Sequence, residues 1–386
     1  MSANRRVFLR LAGASTLAAT AGGAAFAMTR EPASALAPWA DAAGAAGGDP
    51  RVRALSYAIL APNPHNRQPW IAELRGGDEV AIRCDLDRRL PETDPFDRQI
   101  VIGFGCFLEL LRLAAAADGR AVTVEPFPAG EPVPRLDERP VALVRFAPRP
   151  RAATPDPLFA HALARRSNKE PFDTARPVPG DAIRVLRAAG GPAIGLHVRD
   201  DPAFVEAARD LTWRAFLVET GTPRAHGESV RLMRIGRAEI ENAPDGIDIG
   251  GAVPEAMRMV GLLTRETLAD PRSTAFAQTR SMYRDILGSG MAYAWLVTAG
   301  NSRQEQLAAG RDWLRLNLKA TALGLSLHPV SQALQEFPEM GDMHEEMRRL
   351  LGTPASATVQ MLGRLGYGPD VPASPRWPLA TRIRTT

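Results

Sequence analysis

Ala61-Pro62-Asn63-Pro64-His65-Asn66-Arg67-Gln68-Pro69-Trp70 is the stretch from which the fold of this 386-residue chain is read. Two prolines within three residues end any helix before them, because proline lacks the amide hydrogen of the helical ladder. What remains is a braced loop holding the amides of Asn63, Asn66 and Gln68, with Trp70 packing behind it. Amide side chains offer donors and acceptors together, so such a loop suits the edge of a planar heterocycle. The same residues equally serve a structural turn whose amides satisfy local backbone groups.

Working outward, residues 52–60 have helical character before the break. After it, 70–74 and 79–84 are apolar-rich runs around Gly76-Gly77-Asp78, a hairpin signal. From Asp97, the residues Ile100, Val101, Phe104, Leu108, Leu111 and Leu113 recur mostly at three- and four-residue spacing, predicting a buried helix to Ala117 that stops at Asp118-Gly119. Strands are expected at 121–124 and 142–146, then a linker over 148–157. The pattern partly begins again with a helix at 157–166, helices at 181–189 and 202–218, and an extended run at 195–198. Residues 222–285 are polar and punctuated by Pro244-Asp245-Gly246, Gly250-Gly251 and Asp270-Pro271, and read as a helical lid. A strand at 291–298, an amphipathic helix at 304–323 closed by Gly324, and a strand at 358–365 complete an α+β layered pattern.

A second segment, Ala164-Arg165-Arg166-Ser167-Asn168-Lys169-Glu170-Pro171-Phe172, brings three cations, a hydroxyl and an amide into five residues. Guanidinium and ammonium groups give charge-assisted bonds to phosphate oxygens, so this is a phosphate cradle. A solvated basic helix end, favoured by the helix dipole, is the other reading.

In this order the two segments resemble the nitroreductase superfamily of flavoproteins, in its fused, Acg-type branch. The resemblance implies that Arg165, Ser167 and Lys169 grip the phosphate and ribityl tail of FMN. It implies that Asn66, Gln68, Pro69 and Trp70 line the flavin ring, with Pro62 and Asn63 just before them. A third likeness, Gly324-Leu325-Ser326-Leu327-His328-Pro329-Val330-Ser331-Gln332, implies that Pro329, Val330 and Ser331 lie near the flavin N5 edge. Arg364, in Gln360-Met361-Leu362-Gly363-Arg364-Leu365, is the expected extra phosphate contact. The resemblance spans about residues 51–368. In an ordinary nitroreductase chain the Arg-x-Ser-x-Lys run comes first, and each shared site is built across a homodimer. Here the order is reversed and neither half carries both runs. The expected fold is therefore a nitroreductase-like, single-chain pseudo-dimer of two α+β halves, 51–150 and 151–386, with the lid inserted at 222–285. One composite flavin site survives and the second is lost.

The chain has 47 basic and 43 acidic side chains, a formal charge of +4 and a sequence pI near 9.5. Aromatics are only 6%, so a nucleic-acid platform of basic stripes and stacking rings is excluded as a function class. Arg5, Arg6 and Arg10 precede an Ala/Gly-rich apolar stretch that ends at Ala25-Phe26-Ala27. That is a signal-peptide layout, and the paired arginines followed by Phe8 and Leu9 resemble a twin-arginine export signal over 1–27. Its removal takes the charge from +4 to about +1. Residues 28–50, rich in Ala, Gly and Pro, then read as a linker. The apolar stretch is too dilute for a stable membrane span, and no later stretch reads as one.

Cys84 and Cys106 are the only cysteines and read as two buried thiols, although an exported location permits a disulfide. The six histidines show no i, i+4 pair, so no metal site is expected. Gly103-Phe104-Gly105 and Gly288-Ser289-Gly290 lack the third glycine of a dinucleotide fingerprint, and the first reads as close helix packing. His65 and His328 lie inside the flavin-like segments and could act near the ring, with packing or backbone bonding as the other, favoured reading.

The resemblance implies an FMN-dependent oxidoreductase that passes two electrons through flavin N5 to a nitroaromatic, quinone or similar planar acceptor. No catalytic acid or base is singled out. The donor is NAD(P)H or another reductant, since free NAD(P)H is scarce in a periplasmic or other extracytoplasmic compartment. A different class of function, an exported protein that sequesters flavin under its lid without turnover, fits the same residues.

Overall fold

The computed structural model describes residues 30–44, 47–148, 155–191 and 194–385. The expected signal peptide and most of the 148–157 linker lie outside these residues.

Two 20-residue helices, Arg98–Ala117 and Arg303–Ala322, cross at the centre. The first is apolar around most of its circumference and is buried accordingly, from Ile100 to Leu111. By length and composition it would cross a membrane, yet 83% of its most apolar window is inside the protein. The second starts at a capping box, in which Ser302 accepts from the Glu305 amide while Glu305 reaches back. Glycines permit the crossing. A Cβ on Gly105 would lie 2.1 Å from the Leu307 carbonyl oxygen, and one on Gly310 would lie 2.0 Å from that of Ile102. The Gly103-Phe104-Gly105 run is therefore close packing at its second glycine, as the sequence predicts.

This contact is reciprocal: Gly105 exchanges roles with Gly310, and Ile102 with Leu307. The sheets repeat the same two-fold relation. In the first, β1 (Trp70–Arg75), β2 (Glu79–Cys84), β3 (Arg120–Pro126) and β4 (Ala142–Pro148) lie in the order β1-β2-β4-β3. In the second, β5 (Gly195–Arg199), β8 (Ala292–Thr298), β9 (Ser326–Pro329) and β10 (Thr358–Gly366) lie in the order β5-β8-β10-β9. Every pairing among these eight strands is antiparallel. Each central helix runs from the second strand of its sheet to the edge strand that follows it in the chain. The fold is thus an α+β pseudo-dimer within one chain, as the resemblance implies, and a single main core joins its two halves.

Between β5 and β8 the chain makes the long insertion that the sequence reads as a lid. Helix Pro202–Gly221 leads to helix Pro223–Arg231, the short parallel pair β6 (Met233–Ile235) and β7 (Ile247–Ile249), and further helices ending with Thr274–Leu287. This insertion owns a small core of Val230, Ile235, Leu263, Leu268 and Ala275.

Four expectations need correction. Residues 28–50 are no mere linker, because Ala33–Gly44 is a helix. Alanine-rich sequence favours helix, and Trp39 anchors it with Nε1 donating to Ser374 O at 2.9 Å. The helix expected at 157–166 is only a 3-10 turn, Pro157–His161. The division at residue 150 is crossed by the C-terminus, whose strand β11 (Ile383–Thr385) joins the first sheet beside β1 in parallel. Helix Gly341–Leu350 was not expected at all. Cys84 and Cys106 are buried free thiols, and burial raises the Cys106 pKa to about 12.

Candidate functional site

A cleft of about 1760 Å³ opens between the central helices, the 61–68 loop and the lid. Its floor includes Ile102, Gly103, Cys106 and Trp313. The loop is held in a costly shape, for His65, Asn66 and Gln68 have φ of 45°, 50° and 49°. Left-handed backbone costs a non-glycine residue about 1–2 kcal/mol. Asn63 braces the loop, since its Oδ1 accepts from the Gln68 amide at 2.7 Å and its Nδ2 donates to Ala61 O at 3.2 Å. Prolines 62 and 64 remove competing conformations.

One end of the cleft is strongly cationic. Arg165 is 3% exposed and donates from Nη2 to Leu60 O at 3.0 Å. Arg376, 2% exposed, donates from Nη2 to the same oxygen at 3.0 Å and from Nη1 to Asn66 Oδ1 at 2.7 Å. Both keep a buried Nε with no partner. No carboxylate pairs with either guanidinium among the described residues, and burial lowers the Arg165 pKa to about 10 and that of Arg376 to about 9. After burial, Arg165 and Arg166 lower that of Arg376 further, as like charges do, while Asp248 opposes them, and Arg166 lowers that of Arg165. Burying a charge without a partner is expensive, so two together mark a place for an anion. Ser167 and the exposed Lys169 line the same end.

His65 and His328 face this charge. Burial, then Lys169, then Arg67 lower the His65 pKa to about 4, and burial, Arg364 and Lys169 hold His328 well below its ordinary value. Both are neutral near pH 7. Arg364 Nε donates to His328 Nδ1 at 2.9 Å, so the imidazole hydrogen must sit on Nε2.

No protein-family model matches the chain. A Mycobacterium tuberculosis protein provisionally named NAD(P)H nitroreductase acg is 28% identical over 338 residues, covering 84% of this chain and 92% of its own. An uncharacterized protein of the same organism is 32% identical over 367 residues, covering 86% of this chain and 93% of its own. The chain belongs to the family of this second relative; the nitroreductase name is carried by the first. The solved structure of the FMN-dependent nitroreductase NfnB from Mycobacterium smegmatis aligns with 58% of this chain and 95% of its own, at 18% identity and a TM-score of 0.35. A score at that level decides nothing; the fold rests on the two sheets themselves.

The cleft gathers Pro62, Asn63, Asn66, Arg165, Ser167, Lys169, Pro329 and Ser331. Five residues that the resemblance placed around the flavin lie elsewhere, two of them the buried Pro69 and Trp70, the latter in the main core. Gln68 is fully buried, donating from Nε2 to Pro244 O at 2.7 Å and accepting from the Trp377 amide at 2.9 Å, so it ties the loop to the lid and the C-terminal strap. Val330 packs in the second core cluster. Arg364 lies one layer behind the cleft, donating to His328, to Ser289 Oγ at 3.0 Å and to Glu170 O at 2.7 Å. Arg376 was missed, because nothing in the run Ser374-Pro375-Arg376-Trp377 marks it. Only the return of the C-terminal strap beside Asn66 brings it in.

The two-fold relation also locates a counterpart cleft. There Gln304, Leu307, Ala308 and Arg311 take the places of Gln99, Ile102, Gly103 and Cys106, and residues 188–191 replace the 62–66 loop. Its arginines are paired: Arg112 and Arg315 with Glu109, Arg315 also with Asp156, and Arg311 with Asp312. Arg165 and Arg376 of the other cleft have no such carboxylate among the described residues.

Proposed function

We propose that the chain is an FMN-dependent, nitroreductase-like oxidoreductase with one flavin site per chain, passing two electrons to a nitroaromatic, quinone or similar planar acceptor. The observation that carries this is the unpaired guanidinium couple Arg165 and Arg376, whose orphaned Nε groups suit a phosphate. Bound FMN would supply two-electron transfer through its N5 edge. Arg165, Arg376, Ser167 and Lys169 would hold the phosphate, and Asn66 aims Arg376. Pro62, Asn63, His65, Pro329 and Ser331 would flank the ring, with His328 offering its Nε2 hydrogen. The cleft exceeds the roughly 300–1,000 Å³ of a pocket for one small ligand, leaving room for an acceptor. The relatives' names support NAD(P)H as donor. Export by the twin-arginine route, proposed from residues 1–27, would load the cofactor before transport and leave the donor to be found by experiment.

The second reading, FMN sequestration without turnover, is favoured by how firmly the lid is fastened. Asp245 accepts from Arg67 at 2.8 Å and Arg88 at 2.6 Å, both outside the lid, and Glu228 accepts from Thr93 Oγ1 at 2.6 Å. Anaerobic addition of NADPH or NADH to the purified flavoprotein separates the two. Rapid bleaching of the flavin absorbance supports the reductase; bleaching by dithionite alone supports sequestration or a different donor. A chain that takes up no flavin contradicts both.

A further inference from the structure

The end of the cleft away from Arg165 has the opposite chemistry. Helix Pro202–Gly221 places Phe216 and Glu219 on its wall, helix Thr274–Leu287 adds Tyr283, and the turn Gln332–Leu334 brings Gln332 and Gln335. Glu219 is 7% exposed and has no cation paired with it among the described residues. Its Oε1 accepts from Ser229 Oγ and its Oε2 from Gln335 Nε2, each at a long 3.3 Å. The bond to Glu219 fixes the Gln335 amide, leaving its Oε1 buried and unpartnered, and Gln332 Oε1 is unpartnered too. Two amide oxygens without donors, and a carboxyl held only by two long bonds, therefore line the compartment. Phe216 and Tyr283 stack beside them, ring centroids 4.4 Å apart at 12°. An unpaired carboxyl, orphaned amide oxygens and aromatic walls are the groups that recognise an organic cation.

We propose that this lid compartment binds a small aromatic cation bearing N–H donors, an amidine or protonated amine, with Glu219 as its counter-group. Its role as redox partner of the flavin rests on the FMN reading; its binding does not. Tyr283 faces Glu219 as a neutral phenol, its own pKa raised by burial and by that carboxylate, and three other groups bear on the Glu219 charge. Glu228, on helix Pro223–Arg231, opposes ionisation, while Ser229 and Gln335 favour it weakly; with burial dominant, the Glu219 pKa rises to about 7. A bound cation stabilises the carboxylate and so expels a proton.

The test is isothermal titration of benzamidine, benzamide and benzoate into the flavin-loaded protein and its Glu219→Gln variant. Benzamidine should bind at least about tenfold tighter than either analogue, tighten between pH 6 and 8, and release a proton, read from two buffers of different ionisation heat. Glu219→Gln should abolish the preference and the proton release while flavin content and circular dichroism stay unchanged. If that variant does not fold, the wild-type preference and proton release decide alone. Equal or tighter binding of benzoate, no proton release, or a preference that survives in a folded Glu219→Gln overturns the proposal. Cation binding by a chain that takes up no FMN would sustain this site and sink the flavin reading; flavin binding without cation preference would do the reverse.

Discussion

Arg165 and Arg376, 211 positions apart in the chain by their numbering, donate to the same carbonyl oxygen, Leu60 O, each at 3.0 Å. One belongs to the basic run after Pro157–His161 and the other to the strap that carries β11 back to the first sheet. A ligand phosphate between them would gain a charge-assisted bond from each, worth about 1.5–3 kcal/mol. Arg376→Gln should therefore weaken FMN binding roughly 10- to 100-fold, measured by quenching of flavin fluorescence. Stability without ligand should change less, because the lost bonds are offset by relief of a buried unpaired charge.

The glycine contact at the helix crossing leaves no room for a methyl group. Gly310→Ala forces a Cβ to 2.0 Å from the Ile102 carbonyl oxygen, so backbone must move. A loss of about 1–3 kcal/mol or more is expected, read as a lower urea midpoint. Gly324→Ala, with nothing within 4 Å of its Cβ, tests a different cost, that of its positive φ of 69°; it should lose about 1 kcal/mol.

Lid retention depends on Asp245, which collects three arginines in a nearly closed site. Asp245→Asn removes the charge and leaves Arg67, Arg88 and Arg234 facing one another, a change of about 3–5 kcal/mol for a buried ion pair. Flavin dissociation should quicken at least tenfold in stopped-flow exchange. Replacing residues 222–285 by a short linker should speed it further, and unchanged exchange would rule out a lid role.

Two opposite pH effects follow from the site. His65 takes a proton only near pH 4 when folded but near about 6.5 when unfolded, so the unfolded chain holds more protons between these values. Stability should fall as pH drops from 6.5 toward 4, with His328 contributing in the same direction. Glu219 runs the other way: its folded pKa of about 7 exceeds the unfolded value near 4.5, so its burden appears as pH rises. Glu219→Gln should raise the melting temperature at pH 8 and leave it little changed at pH 4.5.

Much of the fold is legible in the sequence where periodicity is strong. The apolar run of Arg98–Ala117, the hairpin around Gly76-Gly77-Asp78 and the helix Arg303–Ala322 all announce themselves. Short edge strands such as β9 and β11 do not, because three or four residues carry no period and are held by their neighbours. Helix Ala33–Gly44 is hidden by the composition of a linker until Trp39 finds the C-terminal strap. In the site, the basic run over 165–169 is legible because its charge is local. Arg376 and Glu219 are not, since isolation from counter-charge is a property of packing. The motif amides mislead for the same reason: Gln68 spends its bonds on Pro244 and Trp377.

The central claim is one flavin per chain, anchored by the Arg165 and Arg376 couple. Titration of FMN into the cofactor-free chain, followed by flavin fluorescence, tests it most directly. Saturation at one FMN per chain is expected, with saturable binding lost in the double variant Arg165→Gln/Arg376→Gln while its circular dichroism is retained. Saturation at two, or affinity unchanged in a folded double variant, would contradict the account.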